Sequence, residues 1–438
     1  MKRLALKIKE PQSADFGTTN SVCPVCRELL EAKRVLRGDD LYLVKTCLEH
    51  GTFDTVIWRG VSDFPDWFAP TEPAYCPADN NGSPACFSGG LCENHATGTC
   101  CVLTEVTSRC NLHCPVCFAD AGNAGEDVPL DELTRRFSDM AARGNTFVQL
   151  SGGEPTVRGD LPEVIRAAVR CGIKTVQLNT NGVLLGQSAG YAQELAEAGL
   201  SFVFLQFDGV TDGVYEQLRG QKLLETKLAA IDSCGRAGLG VTLVPTVVPG
   251  VNDGETGAII KFAVSKSPTV RGVHFQPVSY FGRTAKTPEN ADRITLPEVM
   301  RAAAEQSGGL VRLSDFRPST CDHPRCGFHA DFAVLPGGSL MRIAGKKAQD
   351  CCGSSTAHLQ NREFVARRWT RSREDEKKSD CCDTGTLDGF LTRVKSHGFT
   401  LTGMAFQDAY TLETERLSRC SLHVQDSGAI RPFCANYI

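Results

Sequence analysis

From Val102 to Val278 the chain alternates short apolar runs with longer amphipathic stretches. The runs Val102–Thr107, Thr146–Leu150, Thr175–Asn179, Phe202–Phe207, Val241–Val248 and Val273–Val278 predict strands. Between them, Leu130–Ala142, Leu161–Arg170, Tyr191–Ala198, Leu223–Ala237 and Thr256–Ser265 carry the spacing of helices with one buried face. Strands and helices in strict alternation predict βα units on a parallel sheet. In parallel barrels the chemistry gathers at the C-terminal strand ends. Polar residues fall at those ends here: Ser151 to Glu154, Asn179-Thr-Asn181-Gly182, Asp208-Gly209 and His274-Phe-Gln276-Pro277.

The flanks lack this rhythm. Residues 1–70 read as a small separate unit, with Cys23-Pro-Val-Cys26 and Cys47-Leu-Glu-His50 on either side of a predicted strand, Leu41–Val44. Two knuckles of this kind grip one tetrahedral metal, and zinc and a single iron both suit thiolate-rich sites. His50 or a later cysteine can complete the set after Cys23, Cys26 and Cys47, or His50 can be a turn residue before Gly51. Residues 71–101 are rich in Pro, Gly, Asn and Ser, and carry Cys76, Cys86, Cys92, Cys100 and Cys101. Thiols in a stretch without apolar periodicity point to cluster ligation for the first four; Cys101 can simply open the next strand. Residues 102–285 hold the βα units. Residues 286–438 are irregular, with Cys321 and Cys326, and Cys420 and Cys434, as further candidate ligands; the adjacent pairs Cys351-Cys352 and Cys381-Cys382 are either further half-sites or redox-active or substrate-binding thiols.

A chain of 438 residues can bury a large core and hold two or three domains. The net charge of −4, with both signs interspersed, offers no footprint for nucleic acid. The first ten residues are too charged for a signal peptide, and no apolar run is long enough for a membrane helix. Twenty-one cysteines in CxxxCxxC and CxxC spacings, without an export signal, favour metal thiolates over disulfides. The expected compartment is a reducing, anaerobic cytoplasm.

The sharpest signal is Thr107-Ser-Arg-Cys-Asn-Leu-His-Cys-Pro-Val-Cys-Phe118. Cys110, Cys114 and Cys117 on one tight loop can hold three corners of a cubane cluster, which normally takes four cysteines. Three thiolates therefore leave one iron open, and open metal positions are usually catalytic. The same spacing also suits part of an electron-transfer cluster or a zinc knuckle. One helix later, Ser151-Gly152-Gly153-Glu154-Pro155 follows an apolar strand, where glycines let the backbone approach a small ligand closely.

The two motifs together resemble the radical S-adenosylmethionine (SAM) superfamily, and Phe118 after the third cysteine matches its pattern. The resemblance implies a partial (β/α)6 barrel, flanked here by an N-terminal metal ribbon and a Cys-rich C-terminal domain. It implies a [4Fe–4S] cluster on Cys110, Cys114 and Cys117 whose open iron binds the methionine end of SAM. Gly152, Gly153 and Glu154 would line that methionine, Asn179 and Asn181 would contact SAM, and Gln206 and Asp208 would face its ribose. Reductive cleavage of SAM then yields a 5′-deoxyadenosyl radical that abstracts a substrate hydrogen, with electrons from a ferredoxin- or flavodoxin-type donor. Asp208, Asn179 and Asn181 can equally be turn residues, His274 a satisfied barrel histidine, and Cys171 and Cys234 packing residues.

Segments outside the barrel resemble one branch of the superfamily. These are Cys23-Pro-Val-Cys26, Lys45-Thr-Cys-Leu-Glu-His-Gly51, Gly90-Leu-Cys92 and Pro432-Phe-Cys434. That branch includes archaeal tetraether lipid synthases and proteins described as pterin methyltransferases. It implies a mononuclear metal site, auxiliary [4Fe–4S] clusters and, in its most specific form, coupling or alkylation of a lipid or isoprenoid at an unactivated carbon. Radical modification of a small heterocycle, peptide or thiol metabolite is the alternative. A non-catalytic iron–sulfur carrier explains the cysteines but not Gly152-Gly153-Glu154-Pro155, and a zinc-ribbon interaction protein explains only residues 1–70. No residue is singled out as catalytic.

Overall fold

The computed structural model describes residues 16–69, 76–79, 84–88, 90–284, 286–343, 356–371, 376, 386–426 and 428–438. The pairs Cys351-Cys352 and Cys381-Cys382 lie outside the described residues.

The N-terminal strands β1 (Thr18–Val22), β2 (Leu29–Arg37), β3 (Asp40–Cys47) and β4 (Gly51–Arg59) make their own sheet, antiparallel in chain order. Leu41 and Leu43 of β3 alternate inward, as an antiparallel sheet with one buried face requires. Trp58 anchors the unit beside Phe64, Phe68 and Trp67. Arg59 reaches Glu298 and the Arg293 carbonyl, both at 2.8 Å. Arg34 pairs with Glu413 at 2.5 Å, which ties the ribbon to the C-terminal part.

The remaining strands join one large sheet. Its parallel centre is β5 (Cys101–Thr107), β6 (Phe147–Gly152), β7 (Thr175–Thr180), β8 (Phe202–Gln206), β9 (Gly240–Val244) and β11 (Val270–Pro277), in the spatial order β5-β6-β7-β8-β9-β11. The short β10 (Thr246–Val247) pairs with β11. The predicted helices form almost where expected. Leu130–Ala142 buries Leu133, Phe137 and Met140, spaced by one turn each, and Leu224–Ala237 stops at Gly238, whose φ of +78° glycine adopts without penalty. One continuous core lies between sheet and helices and includes Val102, Val148, Leu178, Val203, Leu243 and Phe275. Strand alternation therefore turns the intervening residues toward the barrel interior.

Two features were not visible in the apolar pattern. Helices also form at Val183–Gln187 and Asp212–Arg219. The C-terminal region does more than flank the barrel. β15 (Gly398–Met404) pairs parallel to β11, and β16 (Leu422–Asp426) pairs parallel to β5, so both edges of the parallel sheet are extended by late residues. Beyond them lie β13 (Gly327–Val334), with the short β12 (Arg317–Pro318) and β14 (Leu340–Arg342) paired to it, and β17 (Ala429–Pro432), all antiparallel. The sheet curves without closing into a complete barrel. Among the described residues, no helix is long and apolar enough to cross a membrane.

Candidate active site and metal centres

The loop after β5 carries Cys110, Cys114 and Cys117. It is pinned at three points: the Cys110 amide donates to the Gly122 carbonyl at 2.9 Å, Cys117 and Arg283 exchange backbone bonds at 3.0 and 2.9 Å, and Arg283 Nε donates to the Cys114 carbonyl at 3.0 Å. The Gly-Gly turn docks directly on this loop. The Gly153 amide donates to the Thr107 carbonyl and the Glu154 amide to the Arg109 carbonyl, both at 2.8 Å. A Cβ on Gly152 would stand 2.2 Å from Thr107 O, and one on Gly153 2.1 Å from Arg109 O; Gly152 also has φ of +114°. Both glycines are required by close backbone approach.

Glu154, only 1 % exposed, joins β6 to β7. Its carboxylate accepts from the Thr156 amide at 3.0 Å, the Thr156 hydroxyl at 2.6 Å, the Thr180 hydroxyl at 2.7 Å and the Asn181 amide at 2.6 Å. In this arrangement Glu154 braces the strand ends while it also lines the cavity beneath the cysteine loop.

That cavity has a volume of about 320 Å³. At its rim, below Cys110, Cys114 and Cys117, are Ser151, Gly152, Gly153, Asn179, Asn181 and Gln206. Asn181 bonds Asn111 through Nδ2 at 2.7 Å, while its Oδ1 accepts from Val183 N at 3.0 Å, starting the next helix. Asn179 accepts from Gln177 Nε2 at 3.1 Å. Midway down stand Gln149, Gln177 and His274; the floor is Phe147, Phe204, Val365 and Trp369, with Asn361 and Ser421 beside Cys100. His274 is held by Thr402 Oγ1 at 2.8 Å and lies beside the Phe204 ring. Burial pushes its imidazole down to about 4, so it is neutral at pH 7.

Asp208 does not face this cavity. It is fully buried, and its two oxygens form a bidentate pair with Arg219 at 2.7 Å each, with a further bond from Thr246 N at 3.1 Å. The expected ribose contact is thus taken up internally, and Arg219 is the group that lines the cavity. Burial disfavours charge on Arg219, but Asp208 outweighs it and holds the guanidinium protonated. Lys227 is buried in the same network, donating to Asn181 O, with Gln206 Oε1 at 3.3 Å. Burial, only partly opposed by Asp208, pushes its ammonium down to about 8. Neither cation stood out in the sequence. A lone Arg or Lys on a helix reads as solvated until the helices Asp212–Arg219 and Leu224–Ala237 are placed.

The cysteine loop fits an iron–sulfur cluster by its donors. Its three thiols share one cavity wall, and burial pushes Cys110 up to about 11, so a proton stays until a metal replaces it. Their sulfurs are not gathered as for a single ion, unlike two other groups. In the ribbon, Cys23, Cys26, Cys47 and His50 converge within 4.8 Å. Cys26 Sγ and Cys47 Sγ are 3.9 Å apart, and His50 Nδ1 lies 3.6 Å from Cys23 Sγ and 3.3 Å from Cys47 Sγ. Zinc–ligand lengths at tetrahedral angles require about 3.8 Å between sulfurs and about 3.5 Å from sulfur to nitrogen. The set therefore fits one tetrahedral ion, with His50 Nδ1 at the position of a fourth ligand atom.

Cys76, Cys86 and Cys92 also converge within 4.8 Å. The Cys86 thiol, helped by the Cys86 amide at 3.2 Å, holds Cys76 down to about 7. Cys326, Cys420 and Cys434 line a second, smaller pocket. Burial, with Asp322, Cys434 and Cys326 close by, pushes the Cys420 thiol up. Cys100 and Cys321 join neither group. Cys100 accepts from Asn361 Nδ2 at 3.2 Å and lines the main cavity, whereas Cys321 sits among Ser319, Asp322 and Ser421. Cys101 opens β5 and lines the cavity floor. Cys234 is fully buried in the core and Cys171 packs at its edge, as packing residues do.

The radical SAM superfamily profile matches residues 104–263, and the HMPTM N-terminal zinc ribbon domain matches residues 16–59. A 7,8-dihydro-6-hydroxymethylpterin dimethyltransferase of Methanocaldococcus jannaschii is 31% identical over 95% of this chain and 92% of its own length. A GTP 3′,8-cyclase of Erythrobacter litoralis is 31% identical over 40% of this chain and 53% of its own. The crystal structure of Streptococcus suis SuiB covers 47% of this chain and 45% of its own, with 17% identity and a TM-score of 0.39. The chain belongs to the radical SAM superfamily and is an enzyme of it. It uses a [4Fe–4S] cluster and SAM, and its ribbon and extra thiol groups are auxiliary metal sites.

Proposed function

We propose that this superfamily member removes hydrogen from an unactivated C–H bond of an apolar chain, a lipid or isoprenoid, in a coupling or alkylation reaction. The observation that supports this reading is the shape and lining of the barrel cavity. It runs from the cysteine loop to residues at the opposite strand ends, such as Cys101 and Phe147. From Cys101 to Thr107 the strand spans roughly 20 Å. An elongated space with a mainly aromatic and aliphatic floor, Phe147, Phe204, Val365 and Trp369, suits a chain end better than a compact polar molecule.

In this reading Cys110, Cys114 and Cys117 hold the cluster, which when loaded supplies the one-electron reduction that makes SAM a radical source. Ser151 to Glu154, Asn179, Asn181 and Gln206 form the polar rim for SAM. Arg219, held by Asp208, is the one guanidinium or ammonium on the described cavity lining and is the cation that would face a carboxylate of SAM. Asp208 and Glu154 act as braces, fixing Arg219 and the strand ends so that the rim is set before SAM arrives. The apolar floor excludes water from the reacting carbon. Cys23, Cys26, Cys47 and His50 hold a structural ion, and the remaining thiol groups hold auxiliary clusters. A ferredoxin- or flavodoxin-type protein supplies electrons in a reducing cytoplasm.

A second reading, a planar heterocycle, draws on the mid-cavity belt of Gln149, Gln177 and His274. It also accords with the pterin in the archaeal relative's name. One experiment separates the two. The anaerobically reconstituted chain is given SAM, dithionite and either a perdeuterated isoprenoid lipid or a deuterated reduced pterin, and 5′-deoxyadenosine is weighed by mass spectrometry. Deuterium from the lipid supports the chain reading, and deuterium from the pterin alone overturns it. A Cys110→Ala/Cys114→Ala/Cys117→Ala variant should form no 5′-deoxyadenosine in either case.

A further inference from the structure

The parallel sheet stays open between β15 and β16, and residues from both sides of the gap line the main cavity. Behind them is the smaller pocket of Cys326, Cys420 and Cys434. The two spaces share a wall made of Asp322, Met404, Phe406, Leu422 and Phe433. Four of these side chains are apolar. Asp322 alone brings oxygen ligands to the wall.

Two of the three thiols are furnished as cluster ligands are, while Cys420 Sγ donates to the Leu422 carbonyl at 3.0 Å until a metal takes its proton. Cys434 Sγ accepts from Gln407 N at 3.2 Å, and Cys326 Sγ accepts from Arg416 Nε at 3.2 Å. N–H···S bonds and a neighbouring cation stabilise thiolate ligands and tune a cluster's potential. Three thiols leave one position to fill, and Cys321 is the sequence neighbour that would fill it by composition. Its sulfur is not part of this pocket. It contacts Ser319 Oγ at 3.7 Å, Ser421 Oγ at 3.6 Å and Asp322 Oδ2 at 3.3 Å. Asp322 is oriented as a second-ligand shell would orient it: Oδ1 accepts from Ser421 N at 2.7 Å and Ser421 Oγ at 2.8 Å. Oδ2 has only longer contacts, to Ser319 Oγ at 3.2 Å and the Cys321 thiol. That oxygen retains capacity to bind metal.

We propose that Cys326, Cys420 and Cys434 hold an iron–sulfur cluster whose fourth ligand is the Asp322 carboxylate, and that this carboxylate-bound iron faces the substrate cavity. The inference rests on the auxiliary-cluster part of the reading above. A carboxylate is a harder ligand than thiolate and a poorer match for cluster iron. The Asp322 position is therefore the one at which an exogenous donor in the main cavity can displace a protein ligand.

The test uses the full chain carrying Cys110→Ala/Cys114→Ala/Cys117→Ala, so that only auxiliary metal remains. After anaerobic reconstitution, iron and sulfide per chain are measured, and the dithionite-reduced protein is examined by electron paramagnetic resonance with and without potassium cyanide as the probe donor. Cys326→Ala should lose about four irons, and Cys321→Ala should lose none. Asp322→Cys should keep the iron count but change the spectrum and abolish the cyanide-induced shift seen in its parent. The proposal is overturned if Cys326→Ala keeps all its iron, if Cys321→Ala loses as much iron as Cys326→Ala, or if Asp322→Cys leaves spectrum and cyanide response unchanged. Asp322→Cys restores a ligand, so loss of iron through misfolding does not mimic the expected result. Formation of 5′-deoxyadenosine by the chain with an intact cysteine loop tests the radical SAM reading separately.

Discussion

Gly153→Ala is the smallest change that probes the seam between the Gly-Gly turn and the cysteine loop. The φ of Gly153 lies outside the left-handed region, so alanine can adopt its backbone and only space decides the outcome. The new Cβ would stand 2.1 Å from Arg109 O, 2.7 Å from Arg109 C and 3.1 Å from Ala121 Cβ. Relief to even 3.0 Å needs a displacement of about 0.9 Å, in backbone directly before Cys110. Overpacking of this kind costs about 1–3 kcal/mol. A misplacement near 1 Å in a reacting site can cost on the order of 10²-fold in rate. The assay is 5′-deoxyadenosine formation from SAM and dithionite, normalised to iron content, with thermal unfolding measured in parallel. The expected result is a rate about 100-fold lower with partial retention of iron. Gly159→Ala, where a Cβ meets nothing within 4 Å, serves as the control and should behave as wild type. A Gly153→Ala rate within about threefold of wild type would refute the reasoning, because the loop would then have absorbed the clash without moving its sulfurs.

The Asp208–Arg219 pair is buried at both ends, so Asp208→Asn or Arg219→Gln alone should cost about 3–5 kcal/mol in urea unfolding. The double variant should cost less than the sum of the two, and single losses below about 0.5 kcal/mol would contradict a desolvated pair. His50→Ala or Cys26→Ala should release the ribbon ion to EDTA while leaving sulfide content unchanged; retention of that ion by both variants would exclude the tetrahedral set. The folded-state pKa of His274, about 4, lies below its unfolded value of about 6.5, so the unfolded chain binds the proton more readily. Its contribution to stability is therefore complete above pH 6.5 and falls as pH drops toward 4, by about 3 kcal/mol. Comparing wild type with His274→Gln across that window checks this, and equal slopes would refute it.

The barrel was legible because its strands and helices each satisfy one dominant demand. Residues such as Val203 and Leu205 face one core, and the helices present single apolar faces to it. The Gly-Gly-Glu turn and the cysteine loop were legible because a close backbone approach restricts residue type. The edge strands β15 and β16 were not. The partner of β16 lies across the whole barrel in sequence, and β15 meets β11 only after a long intervening stretch, so nothing local announces either pairing. The pairing of Asp208 was hidden for a related reason. A carboxylate at a strand end satisfies the expectation for a ribose contact, but an arginine eleven residues later on an unpredicted helix claims both oxygens. The division of thiols into separate groups was equally hidden, since Cys100 lies near Cys92 in sequence yet accepts from Asn361 in space.

The pairing of β16 with β5 joins Leu422 to Cys101, residues about 320 positions apart. At ribosomal speeds of 5–20 residues per second, roughly 15–65 s separate the synthesis of these two strands. During that interval β5 presents an unpaired edge, and Cys100, Cys101 and the neighbouring cavity floor lack the cover that Leu422 later provides. Cys420 and Cys434 arrive in the same late window, so the pocket they share with Cys326 cannot exist before it. Biogenesis of the protein is therefore ordered in time: the cysteine loop at Cys110–Cys117 is complete early, while the thiol pocket of Cys326, Cys420 and Cys434 and the second edge of the barrel are completed together, only after residues 420–434 have been made.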